Sequence, residues 1–198
     1  MHLPDCVVKL GGSLLADLPR LQRVLTAIGE SSLHVLVVPG GGPFADCVRE
    51  AQPKYGFGET VAHGMAVLAT EQTGLMLQGM VPGFCAVKSR DALSEAFAQG
   101  DQAIALMSGF LQDDETLPRV WQATSDTLAV WLATELTTPT LVFVKSCAVP
   151  DDASLLELSD AGILDPVCAG LVKNASIDVR VFGPADDGRL AELLAAEV

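Results

Sequence analysis

Two clusters of adjacent glycines, each directly after a short β-branched run, constrain this chain more than any other feature. Gly11-Gly12-Ser13 follows Val7-Val8-Lys9-Leu10, and Gly40-Gly41-Gly42 follows Val37-Val38-Pro39. A strand that ends in adjacent glycines lets backbone N–H groups approach an anion closely, and a helix that starts just afterwards adds the positive end of its dipole. Two such turns on neighbouring strands predict a site that holds two phosphate-bearing groups facing each other, as the transfer of a phosphoryl group requires.

Short apolar runs alternate with helical patterns along the chain. Strands are predicted at residues 6–10, 34–39, 84–87, 103–107, 140–144 and 178–182. Helices are predicted at residues 17–29, 44–51, 60–79, 91–99, 125–136, 165–175 and 186–197. This β-α-β alternation predicts a three-layer α/β/α sandwich with a mostly parallel central sheet, in which ligands bind at the carboxyl ends of the strands. We expect one domain over residues 1–198.

The predicted helix at residues 60–79 has one clear face. Residues at spacings of three and four form it, namely Val61, Met65, Leu68, Gln72, Leu75 and Gly79. The pattern alone leaves open whether this face packs on its own sheet or in a dimer. We expect a homo-oligomer, a dimer or higher.

The charge of the chain disfavours several classes of partner. The formal net charge is −13, with 25 acidic against 12 basic residues, so binding to nucleic acid or to an anionic membrane is not expected. The first predicted strand begins at Cys6, which leaves no room for a targeting peptide, and we expect a cytoplasmic protein. In this negative field a phosphate site has to be local, built from backbone amides and a few of the five lysines.

Several familiar phosphate-binding motifs do not occur in the sequence. There is no G-x-x-x-x-G-K-[ST], which excludes a P-loop protein. Neither glycine cluster gives G-x-G-x-x-G with an acidic residue about 20 positions later, which disfavours a dinucleotide fold. The set of protein-kinase motifs is also missing.

The order of motifs that does occur resembles the amino acid kinase family, which includes acetylglutamate, carbamate, aspartate and uridylate kinases. The matching segments are residues 8–13, 37–45, 123–129 and 170–173. Two tandem glycine motifs about 30 residues apart are more specific than a single one. The resemblance implies an amino acid kinase-like fold and a phosphotransferase that uses ATP with Mg²⁺.

The resemblance assigns the charges of the reaction to three residues. Lys9 and Lys173 would stabilise the transferring phosphoryl group, and Asp126 would orient the two lysines. Taken by themselves, these residues also fit structural roles. Asp126 follows a plausible N-cap at Ser125, and Lys173 lies in the last turn of a predicted helix, where a cation is favourable.

The other candidate residues fall into two sets, one that would bind ATP and one that would bind the acceptor. The candidates for the ATP side are Lys9, Gly11, Gly12, Ser13, Lys145 and Lys173. The candidates for the acceptor side are Gly40, Gly41, Gly42, Arg49 and His63, of which His63 fits a hydrogen-bonded structural histidine equally well. No metal ligand is named, because nucleotide oxygens and water can hold Mg²⁺.

One segment departs from the family pattern. After the fifth strand many relatives carry Thr-Asp-Val-Asp-Gly, which shapes the pocket for the nucleotide base, whereas this chain has Lys145-Ser146-Cys147-Ala148-Val149. Lys145 then replaces a base contact or reaches a nucleotide phosphate. The alternative interpretation is that nucleotide binding is weakened.

Within the family, the chain is similar to short members that act in the biosynthesis of methanofuran-type C1 carriers. That similarity implies transfer of the γ-phosphoryl group of ATP to a phosphate acceptor, [5-(aminomethyl)furan-3-yl]methyl phosphate, to give the diphosphate. A second hypothesis is a non-catalytic protein that binds or stores a nucleotide or an oxyanion on the same fold. A third is a kinase for an amino acid, carbamate or uridylate.

Overall fold

A parallel sheet of six strands lies at the centre of the described residues. The computed structural model describes residues 2–112, 116–117, 120, 123–173 and 176–196. The strand order is β3-β4-β2-β1-β5-β6, and each neighbouring pair is parallel. The strands are β1 Cys6–Leu10, β2 Val35–Pro39, β3 Phe84–Val87, β4 Gln102–Ala105, β5 Thr140–Val144 and β6 Asp178–Phe182. The predicted parallel α/β sandwich is therefore confirmed.

Helices connect the strands and cover the sheet. They are α1 Leu18–Gly29, α2 Gly42–Tyr55, α3 Glu59–Met80, α4 Arg90–Ala98, α5 Met107–Phe110, α6 Ser125–Glu135, α7 Leu155–Asp160, α8 Pro166–Val172 and α9 Asp187–Leu194. The short helices α5 and α7 are not among the predicted elements. Strand β4 ends earlier than predicted because the chain already turns into α5 at Met107. Residues 175 and 197, the predicted ends of two helices, lie outside the described residues.

Alternation of side chains along the strands divides the core between the two faces of the sheet. Val7, Leu141 and Phe143 point to one face and pack in the same cluster as residues of α6. Cys6, Val8, Val142 and Val144 point to the other face and pack with residues of α1 and α9. An odd-numbered residue of β1 or β5 therefore faces α6, and this rule positions the site.

Helix α3 turns the face identified in the sequence away from the sheet. Val61, Leu68 and Leu75 are 55%, 51% and 53% exposed. The residues that α3 buries are mostly small or hydroxylated, namely Ala62, His63, Val67, Ala69, Thr70, Thr73, Gly74 and Leu77. Packing against its own sheet is thus the wrong alternative for this face. Small residues are needed on the inner side because the helix lies close to the sheet, where a Cβ on Gly74 would stand 3.1 Å from Ile104. None of the described helices has the length and apolar character needed to cross a membrane.

Candidate active site

The two glycine turns are in direct contact with each other. A Cβ atom on Gly12 would overlap the backbone of Gly42, and a Cβ atom on Gly40 would overlap the backbone of Gly12. Gly42 also has a φ of +50°, a conformation that side chains disfavour. The amide of Gly40 donates to the carbonyl of Leu10 at 2.8 Å, which links the second turn to the end of β1. Glycine is therefore required here because the two turns approach each other closely.

A cleft of about 540 Å³ opens above these turns. Its lining brings together the predicted residues Lys9, Gly12, Ser13, Gly40, Gly41, Gly42 and Arg49, together with Thr124 and Ser125 at the start of α6. A smaller adjoining pocket of about 60 Å³ shares Gly41 and Arg49 and is also lined by His63. The amino ends of α2 and α6 both meet the cleft, and helix amino ends favour anions.

One buried carboxylate holds two buried ammonium groups at the side of this cleft. Lys9 forms an ion pair with Asp126, with Nζ 2.7 Å from Oδ1. Lys145 donates a hydrogen bond to Oδ2 of the same carboxylate at 2.6 Å. Lys9, Asp126 and Lys145 are 5%, 4% and 8% exposed. The cluster carries one surplus positive charge, and a buried surplus charge favours an anion beside it.

The alternation rule explains why these three residues meet. Lys9 follows Val7 at a spacing of two, and Lys145 follows Phe143 at the same spacing, so both side chains lie on the α6 side of the sheet. Strands β1 and β5 are neighbours, with Lys9 opposite Phe143. Asp126 lies in the first turn of α6, which packs on both strands.

The structure places Lys173 away from this cluster. Its side chain is exposed at the carboxyl end of α8, where its backbone amide donates to Leu171. The expectation that Asp126 orients Lys9 and Lys173 is therefore corrected, since the second ammonium group on Asp126 belongs to Lys145. The physical reason is that α8 ends at Val172 and leaves Lys173 exposed, while Lys9 and Lys145 already occupy both oxygens of Asp126.

A second buried carboxylate, Asp165, holds the amino end of α6 in place. Its oxygens accept hydrogen bonds from the amide and hydroxyl of Thr124 at 3.1 and 2.7 Å, and from the hydroxyl and amide of Thr127 at 2.7 and 3.1 Å. It also caps α8 by accepting from the amide of Cys168. The N-cap of α6 is Thr124, not Ser125 as the sequence suggested. Asp126 is thus presented by a rigid helix start.

Burial and neighbouring charges shift the pKa values of Asp126 and Lys145. Burial alone would raise the pKa of Asp126, but the ammonium groups of Lys9 and Lys145 outweigh it and hold that pKa below its ordinary value. Burial, together with the neighbouring Lys9 charge, lowers the pKa of Lys145 despite the attraction of Asp126. Lys145 therefore gives up its proton more readily than an ordinary lysine.

The other candidate residues lie around the rim. The hydroxyls of Ser13 and Ser146 are 2.7 Å apart, which joins the first glycine turn to the loop after β5. Gly11 lies behind this junction, where its amide donates to the carbonyl of Val144 at 3.0 Å. Arg49 is exposed and paired with Asp46. His63 is buried on the inner face of α3. Among the described residues no cluster of three His, Cys, Asp or Glu side chains is arranged to hold a metal ion.

Sequence reasoning missed three parts of this arrangement. It did not pair Lys145 with Asp126, although the spacing of two from Phe143 carried that signal. It did not identify Asp165 as the anchor of α6, because the hydrogen bonds join residues about 40 positions apart. It also gave no sign that Arg20, on α1, reaches the loop after β5.

Known proteins resemble this chain in sequence and in fold. A [5-(aminomethyl)furan-3-yl]methyl phosphate kinase from Methanocaldococcus jannaschii is 27% identical over 130 residues, which is 64% of this chain and 58% of that protein. The match thus spans little more than half of the length of that relative. The uridylate kinase of Archaeoglobus fulgidus has a similar structure, with a TM-score of 0.66 at 16% identity over 96% of this chain and 94% of that one.

Two further solved structures share the fold. The UMP kinase of Ureaplasma parvum gives a TM-score of 0.59 at 17% identity, over 91% of this chain and 89% of that one. An aspartate kinase from Clostridium acetobutylicum gives 0.55 at 12% identity, over 90% of this chain and 59% of that one. Residues 6–148 of this chain match the sequence profile of the amino acid kinase family. On this match and on the glycine turns, sheet order and lysine–carboxylate cluster described above, the chain belongs to the amino acid kinase family.

Proposed function

We propose that this protein transfers the γ-phosphoryl group of ATP to a small molecule that already carries a phosphate. The observation that carries the proposal is the buried Lys9–Asp126–Lys145 cluster, which has a surplus positive charge and stands beside two glycine turns in contact. Phosphoryl transfer needs positioning and charge stabilisation more than covalent help from the protein. This arrangement supplies both.

In the proposed reaction an oxygen of the acceptor phosphate attacks the γ-phosphorus of ATP, and the bond from that phosphorus to the β,γ-bridging oxygen breaks. The ammonium groups of Lys9 and Lys145 stabilise the charge on the transferring group, and Asp126 keeps both lysines in place. A general base is not required, because a phosphate monoester has its second pKa near about 6 and is ionised at neutral pH. The products are ADP and a diphosphate.

The residues around the cleft fit a nucleotide with its metal ion. The first glycine turn lines the cleft beside the amino end of α2, where phosphate oxygens are favoured, and Ser13 stands at its edge. When bound, Mg²⁺ would be held by phosphate oxygens and water, and it would neutralise part of the phosphate charge. A cavity of about 280 Å³ is lined by Asp151, Asp152 and Ser154 of the loop after β5 and by residues of β6. We assign it to the base and ribose, whose amino and hydroxyl groups can donate to these oxygens.

For the acceptor we propose [5-(aminomethyl)furan-3-yl]methyl phosphate. The support is the likeness to the kinase of that name from Methanocaldococcus jannaschii, together with the shape of the acceptor side. The second glycine turn would hold the phosphate of the acceptor, and the adjoining pocket beside His63, Val67 and Leu128 would take its small ring. That pocket is only about 60 Å³, which suits a compact acceptor.

The experiment that tests the function is ADP release from Mg-ATP with this furan phosphate, beside carbamate, glutamate and UMP. We expect turnover with the furan phosphate and its loss in Lys9→Ala. Turnover with a different acceptor would support the assigned active site but contradict the furan phosphate as the acceptor. Saturable ATP binding without turnover on any acceptor would instead favour the non-catalytic binder, an alternative motivated by the altered segment after Val144.

The lowered pKa of Lys145 predicts a loss of activity at alkaline pH. We expect kcat/KM to fall with an apparent pKa below 10.5, because the free enzyme loses the charge on Lys145 before an ordinary lysine would. Bound phosphate groups favour the charged lysine, so the fall in kcat should come at higher pH than the fall in kcat/KM. Profiles from about pH 6 to about pH 10 measure both.

Lys145→Met serves as the control for this profile. The residual activity of that variant should lack the same alkaline limb, and an unchanged limb would mean that another group titrates. The effect of Lys145 on stability has the opposite dependence on pH from that of a lysine whose pKa is raised by an ion pair. The unfolded chain binds the proton of Lys145 more tightly, so this residue makes the free energy of unfolding rise as pH increases through the window between its two pKa values.

We also propose that a second copy of this chain packs on the exposed face of α3. The face repeats at spacings of four and three from Val61 to Gly79, a pattern typical of helices that pack side by side. Between residues 60 and 80 the only charged side chain in the sequence is Glu71, in a chain of net charge −13. Two copies therefore meet with the least charge repulsion along this helix.

Sedimentation of the wild type and of two variants tests this dimer. Leu68→Lys on α3 should give monomers, because it places a charge in the middle of the contact. Leu156→Lys is the matched control, since Leu156 is similarly exposed but lies on α7. A monomeric wild type, or a dimer unaffected by Leu68→Lys, would contradict the proposed face.

A further inference from the structure

A fully buried arginine lies under the loop that carries Lys145. Arg20, in the first turn of α1, is only 2% exposed. Its Nη1 donates to the backbone carbonyl of Lys145 at 2.6 Å. Its Nε donates to both carboxylate oxygens of Asp187, at 2.9 and 3.2 Å. This side chain thus joins α1, the start of α9 and the loop after β5.

These contacts leave the backbone of Lys145 held from two sides. The amide of Lys145 donates to the carbonyl of Phe182 at 2.9 Å, which continues the ladder between β5 and β6. The carbonyl on the other side of the residue accepts from Arg20, one position past the end of β5. With both backbone groups held, the side chain has a fixed origin from which its ammonium group reaches Asp126.

A contribution to stability does not by itself explain why Arg20 is buried here. A buried ion pair often adds little to stability compared with apolar residues of the same volume, because both charges lose their hydration. Nη2 of Arg20 is buried and has no hydrogen-bond partner among the described residues, which adds a further cost. The cost in stability of burying Arg20 is explained if Arg20 is needed to hold Lys145 in position for the reaction.

We propose that Arg20 is a positioning residue, which sets the place of the Lys145 ammonium group through the backbone of the loop after β5. Its effect on turnover rests on the proposed function, whereas its effect on the position of Lys145 does not. Phosphoryl transfer depends on charge placed within a fraction of an ångström, and a displacement of about 1 Å can cost about 100-fold in rate. The rate of phosphoryl transfer would therefore depend on Arg20, a residue that touches no substrate.

The test compares Arg20→Gln with Arg23→Gln. Arg23 is the matched control, because it lies one turn along α1 and also approaches Asp187, at 3.4 Å, but is exposed. The first readout is acetylation of the Lys145 amine by acetic anhydride, which releases acetate, in the folded, ligand-free protein, followed by mass spectrometry. We expect Arg20→Gln to raise the labelling rate of Lys145 about tenfold through local opening, with Arg23→Gln unchanged.

The second readout separates kcat from KM. Arg20→Gln should lower kcat by about 100-fold with little change in the KM for the acceptor, because Lys145 acts on the transferring group. Arg20→Lys should recover part of the loss if its ammonium group reaches the same carbonyl. Wild-type labelling of Lys145 in a folded Arg20→Gln protein would overturn the proposal. If no acceptor is turned over, the labelling experiment still decides it.

Asp187→Asn keeps the test open if Arg20→Gln does not fold. It leaves the guanidinium in place but removes the charge that orients it, and Asp187 is partly exposed, so the chain should still fold. We expect faster labelling of Lys145 in this variant as well, with a melting temperature below that of Arg23→Gln, because the buried guanidinium loses its counter-charge. Unchanged labelling in Asp187→Asn would count against the inference.

Discussion

Replacing Lys145 by methionine should lower kcat by about 100- to 1,000-fold, whereas Lys173→Met should leave it nearly unchanged. Removal of one group that stabilises charge in a transition state typically costs this much. Lys145 is buried on Asp126 beside the cleft, and Lys173 is exposed at the end of α8. Steady-state release of ADP with the furan phosphate measures both variants against the wild type.

The fold of Lys145→Met should survive, which makes the result interpretable. The substitution keeps most of the buried stem and leaves Lys9 and Asp126 as a neutral pair. The melting temperature should therefore stay close to that of the wild type or rise slightly, since a buried surplus charge is removed. If Lys173→Met abolished turnover and Lys145→Met did not, the chain after α8 would have to rearrange when substrates bind, and Lys173 would regain its predicted role.

Asp126→Asn should destabilise the protein by about 3–5 kcal/mol. Without the carboxylate, two buried ammonium groups face each other with no counter-charge, and breaking a buried pair on one side costs this much. Lys9 and Lys145 are both less than one-tenth exposed, so water screens their repulsion poorly. Urea denaturation gives the free energy of unfolding for wild type and variant.

A double variant checks the cause of this loss. Asp126→Asn combined with Lys145→Met removes one of the two like charges and should recover a large part of the stability. Sulfate should stabilise Asp126→Asn more than it stabilises the wild type, because an anion in the cleft replaces the lost counter-charge. Loss of stability that neither the second substitution nor sulfate relieves would mean that Asp126 acts through packing at the start of α6.

The carboxylate of Asp126 also makes the stability of the protein fall at acid pH. The pKa of Asp126 is lower in the folded state than its ordinary value of 3.8. Its contribution to stability is then complete above 3.8 and is lost as pH falls through the lowered folded value. Asp126→Asn should therefore flatten the acid side of the dependence of stability on pH, and an unchanged acid side would assign it to other carboxylates.

Much of the fold follows from local signals in the sequence. Strands β1, β3, β5 and β6 have the predicted bounds, because β-branched and apolar runs between turn residues leave few alternatives. The glycine turns were predicted from the same signals, and their contact in the structure shows why those positions carry glycine. Lys9 lies near the end of β1 beside the cleft, as its place just before the first glycine cluster predicts.

Other features depend on which surfaces meet, and local patterns do not contain that information. The apolar repeat on α3 marks a face that avoids water, but a repeat is equally compatible with a sheet or with another helix as its cover. In the structure small residues occupy the side of α3 that lies on the sheet, and the repeat faces outward. The choice follows from the close approach of the helix to the sheet and to Gly41.

The sequence by itself determined the class of fold, the two glycine turns and the identity of Lys9 and Asp126 as candidate charges. Only the tertiary structure decided that Lys145 rather than Lys173 meets Asp126, and that Arg20 and Asp165 hold this arrangement. The physical reason is the pairing of β1 with β5, which brings two side chains of the same sheet face together across a large separation in sequence. A pattern of neighbours along the chain predicts local conformation, whereas the charge balance of a buried site is set by residues that meet only after folding.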